Sequence, residues 1–110
     1  MAYEIGDVVL VPFPFTDLSD TRVRPAVVVT SGRMNEFGDV TVAMVTSRAR
    51  LGPTDWGLRD WMECGLRVPS WVRARFVTLD QAAIRFSPGR LTPRDIDEVK
   101  TRLKIAFELT

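Results

Sequence analysis

The sequence predicts an α+β fold that is mainly β, built from short strands and closed by one C-terminal helix. Two observations carry this expectation. Short apolar, β-branched runs, among them Val8–Val11, Ala26–Val29 and Val40–Val45, recur between clusters of Gly, Pro, Asn and Asp. Only the last stretch, from Thr92 onward, spaces its apolar residues at helical intervals.

The first strand is expected from Tyr3 to Val11. Pro12-Phe13-Pro14-Phe15 then removes two backbone donors and is expected to end regular pairing. Thr16 to Val23 reads as a polar loop, with Asp17, Ser19 and Asp20 as turn formers.

The second strand is expected from Ala26 to Thr30. Ala26-Val27-Val28-Val29 is uncharged and mostly β-branched, so it reads as a central strand buried on both faces. Pro25 cannot donate to a ladder and is expected at the strand's first position. That leaves Arg24 at the mouth of the loop on rigid backbone. A guanidinium there suits a phosphate clamp; a surface ion pair is the commoner use of an Arg in such a position.

Arg33 to Asp39 reads as a connector, with turn signals at Asn35 and Gly38-Asp39. The third strand is expected from Val40 to Thr46 or Ser47. Val40, Val42, Met44 and Thr46 share one face; Thr41, Ala43, Val45 and Ser47 share the other. The strand ends on two hydroxyls followed by Arg48. Such hydroxyls ordinarily form turns, and a functional role is the second reading.

Arg50 to Pro69 is the least regular segment. Gly52-Pro53 marks a turn, and Asp60 to Leu66 is expected to make one or two helical turns stopped by Gly65. Cys64 has no activating base, because the chain has no His, so it reads as a packed thiol and not a nucleophile. Trp56, Trp61 and Trp71 suit base stacking or, more ordinarily, a core or interface.

Trp71 to Leu79 alternates. Val72, Ala74, Phe76 and Thr78 are expected on one face; Arg73, Arg75, Val77 and Leu79 on the other. Two arginines ~7 Å apart on a strand match neighbouring phosphates, and they equally fit a solvated outer face. Asp80-Gln81 begins a turn. Ala82 to Phe86 is expected as a last short strand, broken by Ser87-Pro88-Gly89. Thr92-Pro93-Arg94-Asp95 is a strong helix start, with an N-cap hydroxyl, a first-position Pro and an acid in the first turn. Ile96, Val99, Leu103, Ala106 and Phe107 then form one stripe that is expected to lie on the sheet.

The length of 110 residues fits one domain, 1–110. A lone Cys64 suits a reducing cytosol. Met1-Ala2-Tyr3-Glu4 leads straight into the first strand, so no signal peptide is expected. No apolar run approaches the ~20 residues of a membrane-spanning helix. Net charge is +1, which makes no global electrostatic case for nucleic acid. Of the 15 basic residues 13 are Arg, which suits bidentate phosphate contact and also fits a genome bias. The acids are scattered, and the helix dipole explains Asp95, Asp97 and Glu98. With no His and one Cys, no metal site is expected. No Gly-rich phosphate loop or Ser/His/Asp set is present, so no cofactor and no redox or nucleotide-hydrolysing activity is expected.

The pattern Gly6-Asp7-Val8-Val9-Leu10-Val11, a polar loop, then Arg24-Pro25-Ala26-Val27-Val28-Val29 resembles the opening of the MazF/PemK toxins of bacterial toxin–antitoxin systems. Met44-Val45-Thr46 stands where that family has an apolar-apolar-Thr motif ending its third main strand. The order Asp60-Trp61, Cys64-Gly65-Leu66, Pro69-Ser70 resembles an Asp-Trp-x-x-Ala-Gly-Leu…Pro-Ser segment, with Cys64 in place of a small residue. The resemblance runs from Gly6 to the terminal helix. It implies a small, strongly curved SH3-like antiparallel barrel of the CcdB/MazF type. It also implies a homodimer, single-stranded RNA bound in a groove near the dimer interface, and a cognate antitoxin laid over that groove.

The implied activity is that of a type II toxin: a sequence-specific, metal-independent endoribonuclease leaving 2′,3′-cyclic phosphate and 5′-hydroxyl ends. Arg24 and Thr46 are then the catalytic pair, with Ser47 as a neighbouring hydroxyl. Ser47, Arg48, Arg73, Arg75 and, in the polar loop, Thr16 and Asp17 are the RNA contacts. Some family members carry Arg-x-Asp where this chain has Arg73-Ala74-Arg75, so the acidic partner is missing here. Two rivals share the fold: a CcdB-like DNA gyrase poison, which cuts nothing, and a non-catalytic RNA- or protein-binding module. Cleavage of naked RNA separates them from the nuclease.

Overall fold

The structure, a computed structural model, describes residues 3–14, 21–48 and 52–109. Its strands are β1 (Asp7–Pro14), β2 (Thr21–Val28), β3 (Asp39–Thr46), β4 (Trp56–Gly57), β5 (Trp71–Asp80) and β6 (Phe86–Arg90). Two helices join them, α1 (Gly32–Asn35) and α2 (Pro93–Ala106). The strands form one sheet in the order β4-β5-β3-β2-β1-β6, and every pairing is antiparallel.

Alternation along the central strands sends side chains to both faces. Val8, Val27, Ala43, Val45 and Val72 belong to one buried cluster, which Ile96, Val99 and Leu103 of α2 cover. Val9, Val11, Ala26, Val28, Val40, Val42 and Met44 belong to the second. No helix closes this second face among the described residues. The sheet curls over it instead, bringing in Val77 and Leu79 of β5 with Tyr3 and Ile84. The expectation of a mainly β, curved antiparallel fold with a C-terminal helix is met, and so is the doubly buried strand.

The prolines correct the expected strand ends. Pro12 and Pro14 lie inside β1, paired with Val23 and Thr21. The carbonyls of Val8 and Leu10 accept bonds from Ser87 and Arg85, on the β6 side. By alternation the missing donors of Pro12 and Pro14 face that side too, beyond the last pair Leu10↔Phe86, where no ladder bond is lost. Pro88 also lies within a strand, against the expectation that Ser87-Pro88-Gly89 breaks one. β6 is an edge strand whose register against β1 shifts between Val8 and Leu10, and a Pro is tolerated at such a bulge. Residues 81–83 form a 3-10 turn rather than part of that strand.

Residues 60–66 form hydrogen-bonded turns rather than a helix, with Glu63 N–H on Asp60 O (3.0 Å) and Leu66 N–H on Trp61 O (3.2 Å). α1 falls within the expected connector, and Ser31 caps it by accepting from Met34 N–H at 3.4 Å.

The α2 start is as expected, but its acid does more than complement a dipole. Asp95 is fully buried. Its carboxylate accepts from Trp56 Nε1 (3.2 Å), Arg59 N–H (3.0 Å) and Asp60 N–H (2.9 Å). Thr92 occupies the N-cap position, yet its hydroxyl donates to Asp60 instead of capping the helix. Arg94 completes the clasp with an ion pair to Asp60 at 2.6 Å. Hydrogen bonds from Arg94 and Thr92 hold the Asp60 carboxyl down at about 2, below the usual carboxylate range, and the Arg94 guanidinium is raised in turn by Asp60.

Asp95→Ala is expected to destabilise the protein by about 3 kcal/mol or more, because each of three orphaned N–H donors costs ~1–3 kcal/mol. Urea denaturation followed by tryptophan fluorescence measures it; a change within experimental error would refute the anchoring role.

Candidate nucleic-acid interface

The site forms where the β2–β3 ladder stops. The pairs are Val28↔Val42, Val27↔Ala43 and Ala26↔Met44. Val29 N–H donates to Thr41 O, so odd-numbered donors of β2 face β3. The next bonded pair would join residue 25 to Val45. Pro25 has no N–H to give, and the ladder ends there. β2 stays with β1 (Leu10↔Pro25, Val11↔Arg24), while β3 stays with β5 (Val45↔Val72, Thr46↔Trp71). An open cleft of about 780 Å³ borders this parting.

Continuing the register Ala26↔Met44 by two residues sets Arg24 opposite Thr46, on the face that carries Ala26, Val28 and Met44. Both line the cleft, together with Ser47 and Arg48. Pro25 does not open its strand; it is the fifth residue of β2, so Arg24 sits within a strand and not at a loop mouth. Thr46 does what a strand-end hydroxyl ordinarily does, with Oγ1 accepting from Arg48 N–H at 3.1 Å. A hydroxyl that accepts one bond can still donate another.

Arg73 and Arg75 also line the cleft, as their alternation with Val77 and Leu79 on the Met44 face leads one to expect. The β3–β5 register shifts from Ala43↔Phe76 to Val45↔Val72, so Arg73-Ala74-Arg75 together face Met44. This bulge exposes Ala74, which was expected on the core face, and leaves its N–H without a ladder partner. Asp55 supplies the acceptor, with Oδ1 3.2 Å from Ala74 N; its Oδ2 accepts from Gly52 N–H, also at 3.2 Å. The Arg73 Nε–H is buried with no acceptor among the described residues.

Arg67 is the fifth arginine on the cleft, from the segment after Gly65. The sequence reading missed it because residues 50–69 lack a period that would assign a face. It also missed Phe86, since a lone aromatic beside a turn carries no such signal. Among the described residues the lining holds Arg24, Arg48, Arg67, Arg73 and Arg75 and no Asp or Glu. Thr16 and Asp17 lie outside the described residues.

The three tryptophans serve elsewhere. Trp56 and Trp61 pack on the core beneath α2, and the guanidinium carbons of Arg59 and Arg102 lie 5.7 and 5.2 Å from the centre of Trp56. Trp71 flanks Gly57, where a Cβ would stand 2.9 Å from the indole nitrogen. Cys64 is fully buried, as a packed thiol should be, and its Sγ lies 3.3 Å from Trp61 O. Burial, with the nearby Asp95 charge adding to it, pushes the thiol up from its ordinary value. Among the described residues no three His, Cys, Asp or Glu gather as metal ligands, and no helix is long and apolar enough to cross a membrane.

The family of PemK-like, MazF-like toxins of type II toxin–antitoxin systems matches residues 4–107. Among solved structures, a mycobacterial endoribonuclease in complex with its cognate antitoxin superposes with a TM-score of 0.81 at 23% identity, over 99% of this chain and 98% of that one. The toxin MazF-mt6 of Mycobacterium tuberculosis gives 0.78 at 20% identity, over 94% and 98%. MazF of Deinococcus radiodurans gives 0.72 at 26% identity, over 98% of each chain. No curated protein sequence matches at a significant level.

Native Cys64 is expected to resist a disulfide-exchange reagent at neutral pH and to react fully once urea unfolds the chain. Fast labelling of the folded protein would contradict the buried, raised thiol.

Proposed function

The chain belongs to the family of PemK-like, MazF-like toxins of type II toxin–antitoxin systems, and on that premise we propose that it is an endoribonuclease cutting single-stranded RNA. The observation that carries this reading is the charge of the cleft. A chain of net charge +1 gathers five arginines there, with no carboxylate among the described lining residues. A concave surface of one sign concentrates a polyanion, and planar guanidinium groups match phosphate oxygens. The similar folds described as endoribonucleases support the reaction class.

RNA brings its own nucleophile. The 2′-oxygen attacks the neighbouring phosphorus and loses its proton; the bond to the 5′-oxygen breaks, and that oxygen gains a proton. A 2′,3′-cyclic phosphate and a 5′-hydroxyl remain. Arg24 stabilises the charge that builds on the phosphate oxygens, commonly the largest single contribution. Thr46 donates to a phosphate oxygen and orients the 2′-hydroxyl, with Ser47 beside it. Arg48, Arg67, Arg73 and Arg75 hold flanking phosphates, and Thr16 and Asp17 also contact the RNA. Arginine is a poor proton acceptor and the chain has no His, so turnover is modest. The chemistry calls on no metal or cofactor. Residues 1–110 act as one toxin domain, as a cytoplasmic homodimer held in check by a cognate antitoxin.

A second reading, a non-catalytic RNA-binding module, draws on one observation: among the described residues the cleft lining offers no acid beside Arg73 to act as a general base.

Purified protein in EDTA is expected to cut a mixed-sequence RNA at defined sites and to leave 2′,3′-cyclic ends. Arg24→Ala is expected to lower kcat by about 10²–10³-fold, and Thr46→Ala by at least about tenfold. A folded wild type that binds RNA without cutting it selects the second reading; equal rates in Arg24→Ala remove the clamp. RNA affinity is expected to fall with salt at a log–log slope of about −0.7 per phosphate neutralised. Measured by fluorescence anisotropy, a flat salt profile would contradict the arginine cleft.

A further inference from the structure

Two exposed apolar side chains stand on the cationic cleft. Phe86 is 61% exposed and Val68 48%, and both line the cleft. Phe86 is the only aromatic residue among the described lining residues. It opens β6 opposite Leu10, at the edge of the sheet.

The segments that carry the two side chains are fixed against each other by backbone contact. Gly65 has φ +88, and a Cβ there would stand 2.8 Å from Pro88 O. A Cβ on Gly89 would stand 2.5 Å from Cys64 O. Only glycines allow this approach. The turn leading to Val68 and the strand led by Phe86 are thus held close, and both segments border the cleft on fixed backbone.

An apolar wall facing arginines has the amphipathic pattern of an unpaired nucleic acid strand. Phosphates follow the cations, while the bases need a flat apolar face. An acidic protein segment also meets arginines, but a single exposed ring in a lining whose described charges are all cationic favours a planar base. We infer that Phe86, on the same cleft as Val68, is a stacking platform for one unpaired base of the RNA strand held by the cleft arginines. This rests on the RNA-cleaving reading above. The ring has no polar atom, so it acts on binding and not on bond breaking.

The test uses a labelled single-stranded 2′-O-methyl RNA of mixed sequence, which binds but has no free 2′-hydroxyl to attack. Phe86→Ala and Phe86→Leu are both expected to weaken its binding about tenfold, and Phe86→Trp to keep wild-type affinity. Leucine retains apolar bulk against β1 without a flat face, so the pair separates stacking from folding. On cleavable RNA, Phe86→Ala is expected to raise KM and leave kcat within about twofold. Wild-type affinity in Phe86→Ala and Phe86→Leu, with the wild type still binding and cutting, overturns the platform alone. A wild type that neither binds nor cuts RNA overturns the underlying function and the platform with it. Unchanged RNA affinity with a changed sedimentation mass in Phe86→Ala overturns the platform and assigns the ring to an interface between copies.

Discussion

One missing hydrogen-bond donor shapes the site. Pro25 occupies the position where β2 would next bond β3, opposite Val45, and it has no N–H. The sheet therefore parts. β2 follows β1 and β3 follows β5, each still paired on its other side. Because both strands continue past the break, Arg24 and Thr46 are carried on regular backbone to the two sides of a cleft. A loop would leave such groups mobile, whereas paired strands hold them at low entropic cost on binding.

The arginine wall adjoins a second departure from regular pairing. In a strict ladder Arg73 and Arg75 alternate with core residues, and Ala74 points inward. At the bulge Ala74 is exposed and its N–H goes to Asp55. Both arginines border the cleft with Arg24, Arg48 and Arg67. A net charge of +1 conceals this concentration, because four of the acids serve the structure away from the cleft. Asp60 pairs with Arg94, Asp95 gathers three N–H donors, Asp7 pairs with Arg90 at 2.8 Å, and Asp55 serves the bulge. The charged residues of the described cleft lining are all cationic.

The same division of labour explains α2. Its apolar stripe covers one face of the sheet, as spacing alone suggests. Its first turn also clasps residues 56–60 through Asp95, Asp60 and Thr92, and so anchors the segment that continues to Gly65, Arg67 and Val68. Helix, turn and edge strand thus hold the segments that carry Val68 and Phe86, while β2 and β5 hold three of the five arginines.

Local chemistry was enough to fix the class of the fold. Period-two apolar runs, turn residues between them and one capped amphipathic stripe need no partner to be read, and they yielded strands, core faces and α2 nearly as they stand. The ordered Arg24-Pro25 and Met44-Val45-Thr46 motifs pointed to the two residues that register later set opposite each other. The placement of the prolines, the bulge at Arg73-Ala74-Arg75, the buried duty of Asp95 and the presence of Arg67 and Phe86 on the cleft were decided only by tertiary structure. A proline's effect depends on which neighbour its missing donor would face. A bulge depends on the register of the opposing strand. A buried carboxylate depends on donors thirty-five or more residues away. Those are relations between strands and segments, and a single chain read in order does not contain them.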